Sequence, residues 1–93
     1  MGGRANGFPA MATVQPTSLA ELPIGVRAHV VAVQRCDAVG DRMAELGLTP
    51  GAAIQVLRAA PWGGPLLLKV RDYVLSLRRA EAASVAVAPQ NAG

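Results

Sequence analysis

A chain of 93 residues with nine basic and six acidic side chains has room for one domain, because two hydrophobic cores need a sequence well over twice as long. Hydrophobic residues make up 52% of it, but alanine inflates that figure, and one Trp, one Tyr and one Phe leave the core to aliphatic side chains. No uncharged apolar run reaches the roughly 18 residues of a membrane span, and a formal charge of +3 permits nucleic-acid binding without demanding it.

Residues 1–17 mix Gly, Pro, Ala and Asn with no apolar period, so nothing there offsets the entropy of ordering the backbone, and a flexible tail is expected. That stretch lacks an apolar segment followed by a cleavage site, which argues against secretion. Asn6 stands where a myristoylation signal beginning at Gly2 needs Ser or Thr. The lone Cys36 has no partner for an internal disulfide, which suits a reducing compartment, and a cytoplasmic protein is expected.

The domain is expected over 18–88. Ser18 is placed to cap a short turn over Leu19-Ala20-Glu21, with Glu21 where a capping box wants it. From Val26 to Arg35 small apolar residues alternate first with Arg27 and His29, then with Val31 and Val33. That pattern predicts a strand half exposed at its start and buried on both faces later. Asp37 then caps a short helix whose apolar stripe is Val39, Met43 and Leu46, with Asp41, Arg42 and Glu45 toward water. Gly40 inside it costs about 1 kcal/mol relative to Ala.

The helix end carries the clearest local signal. Gly47 suits the left-handed position of a Schellman cap, which brings Leu48 back against Met43. Thr49-Pro50-Gly51-Ala52 has Pro and Gly placed for a type II turn. Strands are expected at 53–59, 66–71 and 73–78, with Ile54, Val56, Leu66, Leu68, Val70, Leu75 and Leu77 inward and Asp72 turning the hairpin between the last two. After one helical turn at 79–83, Val85 and Val87 mark a closing strand, and 89–93 form a second flexible tail. The fold class is all-β: about five strands in a small barrel, with one short helix between the first and second.

Three blocks resemble the FeoA family: Leu46-Gly47-Leu48-Thr49-Pro50-Gly51, then Ala60-Pro61-Trp62-Gly63-Gly64-Pro65-Leu66, then Leu77-Arg78-Arg79-Ala80-Glu81-Ala82 with Val85-Ala86-Val87 close behind. They stand in the family's order at similar spacing and cover nearly all of the expected domain. The resemblance implies an SH3-like barrel that binds the cytoplasmic GTPase region of the FeoB ferrous-iron permease and modulates uptake, meeting the membrane only through that transporter. The same barrel occurs at the carboxy-terminal end of metal-dependent repressors related to the diphtheria toxin repressor, so a stand-alone metal-sensing domain is the alternative. The Ala/Pro-rich leader, Gly40 and Asp41 depart from the commoner family pattern.

Candidate partner-binding residues are the loop Pro61, Trp62, Gly63, Gly64 and Pro65 together with Arg42 and Glu45 on the helix. Trp62 is either an interface anchor, a role for which exposed Trp is enriched, or a lid folded over the barrel end. Asp37, Gly47, Pro50, Gly51 and Asp72 are turn and cap residues. His29 and Cys36 are seven apart on one strand, hence on opposite faces, and one His cannot complete a two-His-plus-carboxylate set. No metal site is therefore expected, with His29 a partly exposed strand residue and Cys36 a small buried hydrophobe.

No catalytic residues or cofactor are expected either, since nothing supplies a third group for a Cys–His nucleophile, and no phosphate-binding glycine loop precedes Lys-Ser or Lys-Thr. The arginines and lysine are spread over several strands, and only Trp62 and Tyr73 could stack bases. An RNA-binding barrel is thus the second alternative and no nucleic-acid partner is expected. Self-association stays open.

Overall fold

The computed structural model describes residues 16–90; the expected tails therefore lie largely outside the described residues. Six strands form one antiparallel sheet: β1 (Thr17–Ser18), β2 (Arg27–Val33), β3 (Ala53–Ala59), β4 (Leu66–Val70), β5 (Tyr73–Leu77) and β6 (Val85–Pro89). Their order across the sheet is β1-β6-β2-β3-β4-β5. Helix α1 (Ala38–Glu45) joins β2 to β3, and the single-turn α2 (Arg79–Ala83) joins β5 to β6.

Five of these strands are those expected from the sequence, within a residue or two. The sixth, β1, is two residues long and pairs Thr17 with Val87 and Ser18 with Ala86, too short to leave a period of its own. At the other end β6 takes in Pro89 and pairs it with Ala28, and the Gln90 N–H donates to the Arg27 carbonyl at 2.7 Å. Ordered pairing thus runs past both expected domain bounds. Among the described residues the hydrogen-bond ladder has two edges, β1 and β5, so the barrel is a curled sheet whose ladder stays open.

Curling is built into the strands. Register shifts fall between Val30 and Ala32 on β2 and between Val56 and Arg58 on β3, and such bulges bend a strand and increase its twist. The first also corrects the reading of β2: Ala28 and Val30 are buried, but Val31 is 42% exposed. Beyond the bulge Ala32 and Val33 are both partly buried and Val33 packs against the core, so the continuous apolar run marks a change of face rather than burial of both faces.

The core is wholly aliphatic apart from Met43. Leu19, Leu22, Ala28, Val30, Leu48, Ala52, Ile54, Val56, Leu66, Leu68, Val70, Leu77, Ala82, Val85 and Val87 complete it, and among the described residues none that is buried is polar or charged. A 3-10 turn at Leu19–Glu21 buries Leu19 and is capped by Ser18, whose Oγ accepts from the Ala20 N–H at 3.1 Å. The Glu21 half of a capping box is not made among the described residues. The reciprocal contact occurs at α2 instead, where the Glu81 carboxylate accepts from the Arg78 N–H at 3.0 Å.

Helix α1 ends as expected. The Leu48 N–H donates to the Met43 carbonyl at 3.1 Å and the Gly47 N–H to Ala44 at 3.0 Å, with Gly47 at φ +104; these are the two bonds of a Schellman cap. Leu48 and Met43 are both buried, whereas Leu46 is 37% exposed, because the cap turns the stripe away from the core one residue early. Gly40 proves necessary: a β-carbon there would run into the Arg35 carbonyl oxygen. The Ala52 N–H then donates to Thr49 at 2.9 Å around Pro50 and Gly51, whose φ is +89, as a type II turn requires. In the β4–β5 hairpin the positive φ falls on Arg71, at 57, and not on Asp72.

Gly47→Ala is expected to destabilise the domain by about 1–2 kcal/mol, since the left-handed conformation costs that much for a residue with a β-carbon. The added methyl would also meet the Tyr73 hydroxyl. Urea titration followed by far-UV circular dichroism measures the loss; an unchanged midpoint would show that the cap is replaceable.

Candidate functional site

The loop between β3 and β4 is closed by its own backbone. The Ala60 N–H donates to the Pro65 carbonyl at 2.9 Å and the Gly64 N–H to Pro61 at 3.2 Å. Between them Trp62 and Gly63 both have positive φ, 56 and 76. For a bulky side chain this backbone is an outlier of the kind that gathers at binding sites. The indole is 98% exposed, so the lid alternative fails: Trp62 projects into solvent.

Arg42 and Glu45 are exposed on α1. Arg42 Nη2 lies 3.4 Å from Glu81 Oε2 and so ties α1 to α2. No hydrogen bond or ion pair among the described residues joins α1 to the tryptophan loop. The C-terminal end of α1 meets the opposite end of β4, where the Tyr73 hydroxyl donates to the Leu46 carbonyl. Five residues of β4 separate the two ends, about 13 Å of strand.

The other candidates divide cleanly. His29 is exposed on β2 as expected. Cys36 is also exposed, which corrects its expected burial; it lies beyond the end of β2, where no strand partner covers it. Among the described residues no three His, Cys, Asp or Glu side chains are grouped to hold a metal ion. The basic side chains of β2 and β4, read as scattered, are brought to one face by strand register: Arg27 and Lys69 both stand opposite Gln55. Such cross-strand neighbours leave no local signal.

Asp37 supplies the strongest local electrostatics. Its Oδ1 accepts from the Gly40 N–H at 2.9 Å, capping α1, while Arg35 Nη2 donates to Oδ2 at 2.7 Å and Nε to Oδ1 at 2.9 Å. The guanidinium first, then the backbone N–H, lower the carboxyl to about 2 and the pair raises Arg35.

A small curled antiparallel sheet with one capped helix and a protruding tryptophan loop defines an SH3-like β domain. The FeoA domain model matches residues 17–89, and the chain belongs to the FeoA family. It is 36% identical over 69 residues to the Fe(2+) transport protein A/Fe(2+) transporter FeoB fusion protein of Porphyromonas gingivalis, a match covering 74% of this chain and only 8% of that protein. The solution structure of FeoA from Chlorobium tepidum is 38% identical with a TM-score of 0.76, covering 83% of this chain and 73% of that one. Stenotrophomonas maltophilia FeoA, an SH3-domain protein crystallised with zinc, is 36% identical with a TM-score of 0.69, covering 76% and 88%. A manganese-dependent transcriptional repressor shares the fold at 15% identity and a TM-score of 0.75. No helix among the described residues is long and apolar enough to cross a membrane.

Because the Asp37 carboxyl is lowered in the folded protein, its stabilisation is complete above the ordinary carboxylate range, near pH 4, and is lost as pH falls toward 2. Asp37→Ala should therefore melt below the parent at neutral pH, with the gap narrowing in acid. Thermal melts followed by circular dichroism check this; a gap of constant size would assign the effect to something other than the charge.

Proposed function

We propose that this chain is a cytoplasmic accessory module of ferrous-iron uptake that docks onto the cytoplasmic GTPase region of a FeoB-type permease and modulates transport by favouring one of its conformations. The observation that carries this reading is the fused relative, in which a segment similar to this chain and an Fe(2+) transporter FeoB are parts of one protein. Fusion supplies a high effective concentration of one part for the other. The tryptophan loop supports docking through its form: a nearly fully exposed indole on a backbone closed by two hydrogen bonds presents a large apolar surface with little left to order on binding. The module contributes shape and leaves nucleotide chemistry and the iron itself to the permease. The metal-sensing alternative has on its side the shared repressor fold and a FeoA relative crystallised with zinc, but among the described residues of this chain no three His, Cys, Asp or Glu side chains are grouped to hold a metal ion.

Trp62→Ala should leave the fold intact, because the side chain is outside the core. It should weaken binding to the purified cytoplasmic domain of the cognate permease by more than about 1 kcal/mol, roughly fivefold in Kd. Calorimetric titration measures this. Equal affinity in parent and variant would remove the loop from the interface, and no heat of binding in either would remove the docking reading itself.

A further inference from the structure

The open outer face of β2, β3 and β4 holds a groove of about 360 Å³ with no acidic side chain among the described residues that line it. Strand register explains its composition. Along β2, Ala28 and Val30 point into the core and Arg27 and His29 point out. Arg27 stands opposite Gln55, and Gln55 opposite Lys69, which makes one row across three strands. His29 stands opposite Ala53, whose carbonyl accepts from the Arg71 N–H at 2.9 Å, which makes the second row. Adjacent strands lie about 4.8 Å apart and alternate residues about 6.8 Å apart. Basic side chains thus rim two sides of the groove, about 10 Å from each other, and Ala53, the smallest side chain on this face, makes the hollow between them.

The rim is chemically unspent. The ion pairs among the described residues are Arg35 with Asp37 and Arg42 with Glu81, neither of them here. Arg71 gives one donor to the Thr49 hydroxyl at 3.2 Å, and a guanidinium has five. Like charges gathered without counter-charge repel one another, and an anionic occupant relieves that repulsion.

We propose that this groove binds an extended acidic segment of a protein partner, with carboxylates on alternate residues meeting the Arg27–His29 and Lys69–Arg71 rims. Alternate side chains of an extended peptide share one face and repeat about every 6.8 Å, which matches the spacing of alternate residues along each rim. Arg27 and Arg71 each offer the planar fork that carboxylates accept in pairs. A single-stranded nucleic acid carries charges at comparable intervals but draws much of its affinity from stacking on aromatic rings, and no aromatic side chain among the described residues lines the groove. The choice of a protein ligand rests on the docking function proposed above and deepens it by naming the partner's chemistry.

The test uses the full chain and a fluorescein-labelled peptide alternating Glu with Ser, read by fluorescence anisotropy, with an oligouridylate of equal charge as the competing probe. The peptide should bind, and its Kd should rise about fivefold or more between roughly 50 and 300 mM NaCl. Arg27→Glu with Lys69→Glu should weaken it about tenfold or more, and Arg27→Gln with Lys69→Gln, which removes charge without adding any, should weaken it by less. Arg58→Glu, on the same sheet but outside the groove, should change Kd by less than about twofold. No binding of the peptide, equal loss from Arg58→Glu, or tighter binding of the oligouridylate overturns the proposal. Peptide binding that survives while Trp62→Ala leaves permease binding untouched separates this site from the loop.

Discussion

A sheet of short strands must curl tightly to enclose a core made almost entirely of Leu, Val, Ile and Ala side chains, and the rest of the structure depends on that enclosure. Aliphatic groups pack densely without polar atoms to satisfy, and among the described residues none that is buried is polar. The chain's described aromatic residues are left outside: Tyr73 is 40% exposed and Trp62 98%. A small domain that keeps its largest rings on the surface while filling its core with methyl groups has separated the residues that hold it together from those free to meet a partner.

The helix end connects these two parts. The two cap bonds at Gly47 and Leu48 fix where α1 stops, and the turn at Pro50 and Gly51 sends the chain into β3. Two backbone bonds then anchor the turn to the sheet, the Gly51 N–H donating to Val30 at 2.7 Å and the Val30 N–H to Ala52 at 2.9 Å. Helix α1 is consequently held at both ends, by the Asp37 cap and its Arg35 partner at one and by the Schellman bonds at the other. Gly40, costly for an isolated helix, is compatible with stability because its bare α-carbon lets the first turn lie against the Arg35 carbonyl.

Signals confined to a few neighbouring residues were legible in the sequence. The segment from Leu46 to Gly51 carries its own geometry in Gly and Pro, and the alternation in 53–59 and 66–77 identifies which side chains face the core. Features that arise between distant segments were not. The pairing of Thr17 and Ser18 with β6 depends on a partner nearly seventy residues away. The bulge at Val31 depends on what β6 offers, and the sequence shows only a run of small apolar residues. Cys36 reads as a buried hydrophobe by type, yet its exposure follows from β2 having already ended. The face assembled from Arg27, His29, Lys69 and Arg71 is invisible until strand register is known, because each side chain taken alone looks like an ordinary solvated position.

The bulge on β3 has a mechanical consequence for anything that touches this domain. Ala53 and Gln55, with His29 and Arg27 opposite them on β2, lie on one side of it, while Arg58 and the loop bearing Trp62 lie on the other. Because a bulge bends its strand, the outer surface turns between them, one plane basic and the other ending in an indole. A flat, rigid body resting on one plane tilts away from the other, so simultaneous contact requires something that wraps around the corner.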